Sequence, residues 1–343
     1  MGIPCYIRVV PTTYNGWQIA SMIEDPLLVN DWHAVAWAYQ ITDGAPKAIR
    51  LLEQDLVLWR NQDGVHAWQD LCVHRGAKLS GGRIANNCLA CPYHGWQYES
   101  SGRCVHIPAH PGRPAPLRAR TTVYDVKERY GLIWVSLGKP KRDVPGFPEW
   151  EDSSFRKIPA GPYLYRANGP RVIENFLDVG HFAFVHAGYL GDAAHAEIGD
   201  YEMEVFPDCL VAKDIPVWQP DPDGTGRPAE VTYTFHVVRP LTASFVKTNG
   251  EKRFAMFSTV TPVARCESVV WLIMALNYGH DVSVEELCRF QDAVTAQDVP
   301  VVESQRPELL PLDLQAELHL TSDRVAIAYR QWLKKIGLQY GTV

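Results

Sequence analysis

The densest chemistry in the chain lies in "CVHRGAKLSGGRIANNCLACPYHGW", residues 72–96. Cys72-x-His74 opens it and Cys91-x2-His94 closes it. Each pair supplies one thiolate and one imidazole from a short loop. Gly76, Pro92 and Gly95 suit loops that wrap closely over an inorganic core. Two anionic sulfurs and two neutral nitrogens are the donor set of a [2Fe–2S] cluster in which histidines replace two of four cysteines. Zinc is the competing reading, because Cys88-x2-Cys91 has zinc-knuckle spacing and would recruit Cys72 and one histidine. Zinc leaves the near-symmetry of CVHRG and CPYHGW unexplained. A c-type haem needs Cys-x-x-Cys-His, which this stretch does not provide.

A second set lies in "RVIENFLDVGHFAFVH", residues 171–186. Asn175, Asp178 and His181 fall at i, i+3 and i+6, one face of a helix. His186 sits about 140° around an ideal helix from His181. Both reach one metal only where the helix ends or bulges. Two imidazoles and a carboxylate form the facial triad that holds non-haem Fe(II) and leaves positions open for O2 and water. The carboxylate is expected from the helix at 283–305, where Asp298 falls on the apolar stripe of Leu287, Val294 and Val301 or Val302. A buried carboxylate is costly unless paired or metal-bound. Asp292, one helical face away, is the alternative. Taken alone, His181 and His186 read as core histidines with satisfied hydrogen bonds; with the cluster motif upstream they read as ligands.

The elements that must position these groups differ between the halves. "DLVLWR" (55–60) and "VHAWQD" (65–70) read as strands joined by the turn "NQDG", and 129–138 as another strand-like run. The charged, proline-rich stretch 139–152 reads as a domain boundary. Beyond it, 231–238, 254–263 and 268–279 read as strands of one sheet. Ser283 and Glu286 form a capping box for a helix that Pro300 is expected to kink. A last helix is expected from a Ser322 N-cap to Gly337, with Val325, Tyr329, Trp332 and Ile336 facing the core. Phe182, Phe257, Met274 and Asn277 are candidate walls of a pocket between sheet and iron helices.

Composition narrows the field. In 343 residues, 46% are hydrophobic and 21% charged, which supports a substantial core. The net charge is −6, and no basic run provides a nucleic-acid footprint. No apolar run approaches the roughly 18 residues of a membrane span. The N-terminus lacks a cationic start, Pro4 and Pro11 interrupt it, and Tyr6 replaces the Ser or Thr of a myristoylation signal. It reads as a tail, and the cytoplasm as the location. Eight cysteines, four of them between 72 and 104, suggest metal rather than a disulfide framework.

The pair CVHRG and CPYHGW, with D-x2-H-x4-H at 178–186, resembles the Rieske-type non-haem iron oxygenases. The disulfide-forming cysteines of respiratory Rieske proteins are replaced here by Ala77 and Tyr93. "NDWHAVAWA", "ERYGLIWV", "VESQ" and "YRQWLKKIGL" resemble the short-chain branch that includes methylxanthine N-demethylases and dicamba O-demethylase. The C-terminal stretch and "IPAHP" resemble the saxitoxin-pathway hydroxylases.

The resemblance implies an α+β chain. A tail (1–29) precedes an all-β Rieske domain (30–145). A helix-grip, START-like catalytic domain (146–343) with a curved antiparallel sheet follows. It further implies a [2Fe–2S] cluster on Cys72, His74, Cys91 and His94, and Fe(II) on His181, His186 and Asp298. Asp178 would bridge the two centres across subunits of a homotrimer, and Asn175 would sit beside the iron. O2 would be co-substrate, and a separate NAD(P)H-dependent ferredoxin reductase would supply electrons. The reaction implied is hydroxylation or oxidative demethylation of a small organic molecule, with aromatic dihydroxylation as the alternative. A different-class reading is an electron-transfer protein using the Rieske domain alone.

Overall fold

In the computed structural model the described residues are 24–343, preceded by the backbone of a short ribbon, Thr13–Tyr14 with Trp17–Gln18. Apart from that ribbon, the expected tail lies, up to residue 23, outside the described residues. Helix α1, Pro26–Val29, begins at Asp25, whose carboxylate accepts from the Leu27 amide at 2.9 Å. The chain forms two compact units, Met1–Val144 and Pro145–Val343. No helix among the described residues is long and apolar enough to cross a membrane.

The first unit is built on two antiparallel sheets. Six strands run in the order His33–Trp37, Leu132–Ser136, Val123–Arg129, Gly64–Gln69, Gln54–Asn61, Lys47–Leu51. Asn61 pairs with Gly64 across the "NQDG" turn, where Gly64 takes φ +120°. The run read as one strand over 129–138 is instead a hairpin. Tyr130 and Gly131 both take positive φ, and Arg129 pairs back to Leu132. A two-residue turn with both φ positive matches the twist of the flanking strands. Four short strands, Arg83–Ala85, Cys88–Ala90, Gln97–Tyr98 and Cys104–His106, make the second sheet. Between the sheets Trp59, Trp68 and Tyr98 form a core that also buries Cys72 and Cys91.

The second unit centres on a seven-stranded antiparallel sheet. Its order is Arg156–Tyr165, Glu267–Leu276, Lys252–Ala264, Thr242–Asn249, Ala229–Arg239, Leu210–Gln219, Glu202–Val205. After the short helix α2, Pro148–Glu151, come three larger helices: α3 (Gly169–Leu177), α4 (Val284–Ser304) and α5 (Arg324–Ile336). Helix α4 packs on Arg156–Tyr165, α3 on the two central strands, and α5 at the other end of the sheet.

Two expectations need adjustment. Helix α4 is as expected in extent, with Ser283 Oγ accepting from Glu286 N, and it runs through Pro300 to Ser304. The carbonyl freed by proline's missing N–H belongs to Ala296, which faces solvent. Ser322 does not cap α5. A 3-10 turn, Thr321–Asp323, comes first, with Asp323 accepting from Leu320 N at 2.7 Å and from Ser322 Oγ at 3.2 Å. The end at Gly337, φ +80°, is as expected. The helix read through Asn175, Asp178 and His181 stops at Leu177.

Candidate functional site

In the first unit two loops have the same hydrogen-bond pattern. Cys72 N donates to Ala77 O and Gly76 N to Cys72 O; Cys91 N donates to Trp96 O and Gly95 N to Cys91 O. Gly76 and Gly95 take φ +71° and +69°, a region glycine occupies without Cβ strain. This repeated turn explains why the spacing is near-symmetric in sequence. It buries both sulfurs and brings the His74 and His94 rings to 4.5 Å between centroids. His74 stacks on Trp96 at 4.4 Å. Tyr98 OH lies 3.1 Å from Cys72 Sγ. Burial pushes the Cys72 thiol up, and neighbouring Cys91 adds to it. Two adjacent thiolates here need a compensating cation. His74 Nδ1 is buried with no hydrogen-bond partner, as a metal-ligating nitrogen would be.

The donors therefore fit a binuclear cluster. The matching hydrogen-bond pattern of the two loops is the feature that a zinc knuckle on Cys88 and Cys91 leaves unexplained. Cys72→Ser is expected to abolish the visible absorption of the purified protein, because a serine hydroxyl stays protonated at neutral pH and cannot stand in for the thiolate ligand. Full retention of that absorption would remove Cys72 from the ligand set.

In the second unit α3 stops because Asp178 turns extended (φ −85°, ψ 128°) as its amide bonds back to Asn175 O. Tight turns follow: Phe184 N and Val185 N donate to His181 O, and Tyr189 N and Leu190 N to His186 O. The two histidines are thus freed from helical phase. Their rings meet, with Nε2 atoms 3.2 Å apart. Asp298 Oδ1, from the middle of α4, lies 3.4 Å from His181 Nε2 and 3.1 Å from His186 Nε2. These are the only three or more His, Cys, Asp or Glu donors that converge so closely among the described residues. Asp292, the alternative carboxylate, is exposed and accepts from Tyr163 OH at 2.7 Å instead.

The outer ring nitrogens are also engaged. His181 Nδ1 lies 3.1 Å from Asp178 Oδ2, and His186 Nδ1 lies 2.8 Å from Gln297 Oε1. Those acceptors require N–H at both Nδ1 positions, so lone pairs at Nε2 are available inward. Burial opposes a charge on His181, but Asp178 and Asp298 outweigh it and push its pKa up to about 9. Despite burial, the two imidazoles hold the Asp298 carboxyl below its ordinary value. A proton on His181 satisfies one edge of this triangle; a divalent ion at its centre satisfies all three. Bonds of roughly 2.1 Å at right angles put donor atoms about 3.0 Å apart, close to the spacing here. Asn175 Nδ2 lies 3.5 Å from Asp298 Oδ1, beside the triad.

Sequence reasoning missed Gln297. It occupies an ordinary helix position, and nothing in its spacing tells it from a solvent-facing amide.

The triad borders a cavity of about 570 Å³. Of the four expected walls, Phe182 and Met274 line it. Phe257 is fully buried against Phe147, and Asn277 turns away to Arg253 N and Glu251 O. Asp178 lines a different recess, polar and about 230 Å³, which it shares with His181, Gln305 and His319.

Residues 31–124 match the Rieske [2Fe-2S] domain, and residues 165–339 the vanillate O-demethylase oxygenase C-terminal domain. The chain is 33% identical over 317 residues to methylxanthine N1-demethylase NdmA of Pseudomonas putida, covering 89% of this chain and 88% of that protein. It is 29% identical over 343 residues to methylxanthine N3-demethylase NdmB of the same organism, covering 94% and 93%. The solved structure of NdmA with caffeine matches with a TM-score of 0.78 at 32% identity, over 91% of each chain.

Proposed function

The chain belongs to the Rieske non-haem iron oxygenases, and from that premise we propose how its own residues serve an oxygenase that demethylates or hydroxylates a small organic molecule. One observation carries the reading: three inward-facing donor atoms of His181, His186 and Asp298 converge at 3.1–3.4 Å on the border of a cavity large enough for such a molecule. Demethylation is favoured because the similar P. putida proteins are N-demethylases.

Cys72, His74, Cys91 and His94 would hold the [2Fe–2S] cluster, and His181, His186 and Asp298 the mononuclear Fe(II). When bound, the cluster supplies electrons singly and the ferrous ion supplies O2 activation. Gln297 and Asp178 hold the two imidazoles in one tautomer and orientation. Phe182, Met274 and the other apolar walls exclude bulk water from the reacting end of the substrate. Asn175 steadies the Asp298 carboxylate through its amide.

Asp178 would carry the electronic connection. One oxygen faces His181 and the other accepts from Gly180 N at 2.7 Å; its side chain is 45% exposed. A carboxylate has about four lone-pair sites, so it can also accept from an imidazole of another subunit. His94 is exposed and suits that partner. Asp178 lines the polar recess and not the substrate cavity, so in this reading electrons reach the iron ligands through that recess. In this reading the chain works as a homotrimer, with electrons crossing between subunits, and draws them from a separate NAD(P)H-dependent ferredoxin reductase. A cytoplasmic location fits the seven free cysteines among the described residues.

The test is Asp178→Ala. Both metal centres are expected to remain, while reoxidation of the pre-reduced cluster under O2 and substrate slows by about 10–100-fold. A wild-type reoxidation rate in stopped-flow would remove Asp178 from the path.

A further inference from the structure

The sheet face lining the cavity is mostly apolar and carries a single charged side chain. Strand alternation puts Tyr233, Phe245, Phe254, Met256 and Met274 on it, and Lys247 among them. Lys247 pairs directly with Tyr233 on one neighbouring strand and Phe254 on the other. A lysine at such a position is costly unless its ammonium is used. Lys247 Nζ donates to Pro222 O at 2.6 Å and to Gln219 Oε1 at 3.2 Å, and stands 5.4 Å from the Phe254 ring centroid. Gln219 is fully buried and held in turn, its Nε2 donating to Tyr233 OH at 2.9 Å and Leu190 O at 3.3 Å. An ammonium has three N–H groups, and the third has no acceptor among the described residues.

We propose that Lys247, oriented by Gln219, is the specificity-determining residue of this cavity, its free N–H binding an acceptor oxygen on a flat aromatic substrate. The aromatic part follows from the rings of Phe176, Phe182, Phe245, Phe254, Tyr278 and Phe290 around the same space, which favour stacked and edge-on contact with a planar ring. The acceptor is a carbonyl or a carboxylate. Burial drives the Lys247 pKa down to about 8 while nearby Asp223 and Asp221 oppose the shift, so it remains mostly charged at neutral pH and serves either group. The inference rests on the oxygenase reading of this cavity.

The test uses three fluorescent probes with one ring system and one methyl ether: 6-methoxy-2-naphthoate, 2-acetyl-6-methoxynaphthalene and 2-methoxynaphthalene. Equilibrium binding to the holoprotein is expected to favour at least one acceptor-bearing probe over 2-methoxynaphthalene by at least about ten-fold, the scale of a charged hydrogen bond. The preferred probe tells carboxylate from carbonyl. Lys247→Met is expected to erase the preference while leaving 2-methoxynaphthalene binding unchanged. Lys247→Gln, which keeps an N–H without charge, should retain a preference for the acetyl probe and lose one for the naphthoate. A wild type that binds all three alike overturns the proposal. So does a Met variant that keeps the preference or weakens all three equally, since the last marks a purely structural lysine. Formaldehyde release is read separately. Preference without formaldehyde sinks demethylation and leaves the subsite standing; formaldehyde without preference does the reverse.

Discussion

His181→Ala is expected to leave the visible spectrum of the cluster intact while total iron per chain falls by about one third, the share of one mononuclear ion beside two cluster irons. Product formation should fall by more than about 100-fold, since losing even a group that orients a ligand costs 10–100-fold and His181 is itself a proposed donor. The geometry makes the loss specific. His181 is the one side chain that joins both functions, its Nε2 within 3.4 Å of Asp298 and its Nδ1 3.1 Å from Asp178. The cluster donors lie in the other compact unit, on loops that share no residue with these turns. Metal analysis and absorbance on one sample decide the matter. Iron content equal to wild type would mean that His181 does not hold the mononuclear ion, and the proposed triad would fail.

Arg330→Met is expected to destabilise the second unit by about 3–5 kcal/mol, the usual cost of removing one partner from a buried ion pair. For a unit of this size that is on the order of a 10 °C drop in its melting temperature. Arg330 is 3% exposed and holds Glu174 through two bonds, Nε to Oε1 at 2.5 Å and Nη2 to Oε2 at 2.8 Å. It also reaches Glu317 at 2.5 Å and Pro311 O at 3.2 Å. Arg171, 2% exposed, contacts the same two glutamates. Removing Arg330 leaves two carboxylates sharing one guanidinium in a poorly hydrated place. Because Glu174 precedes Asn175 on α3, the last turn before Asp178 should loosen as well. The variant should therefore lose mononuclear iron more readily on dialysis than wild type. A melting temperature within a degree of wild type would show that the network adds no net stability.

Local patterns carried much of this protein. The two Cys-x(1–2)-His pairs specify matching tight loops, because a glycine four residues after each cysteine permits the positive φ that lets the chain fold back on the metal side. Alternation in 231–238 shows a strand, since a sheet with one face against a cavity alternates there; 254–263 is a strand buried almost continuously. The Ser283 cap shows where α4 begins, because an N-cap is satisfied within four residues.

Other features depended on distant partners. Periodicity put Asn175, Asp178 and His181 on one helix, but α3 ends first; Asp178 Oδ1 accepts from Gly180 N, and the later turns are held by backbone bonds to His181 O and His186 O. Lys247 and Arg330 look like ordinary surface cations in sequence. Only the pairing of three strands puts Lys247 in an aromatic wall, and only the packing of α5 against α3 buries Arg330 on Glu174. The sequence alone determined the donor types, the loop geometry around the first pair set and the strand periodicity, all of which arise within a few residues. The apolar stripe already favoured Asp298 over Asp292, but only the tertiary structure brings that carboxylate to the histidines. Helix packing turns Asp292 to Tyr163 and Asp298 to His181 and His186, because the turns after α3 and the face of α4 meet only in the folded chain.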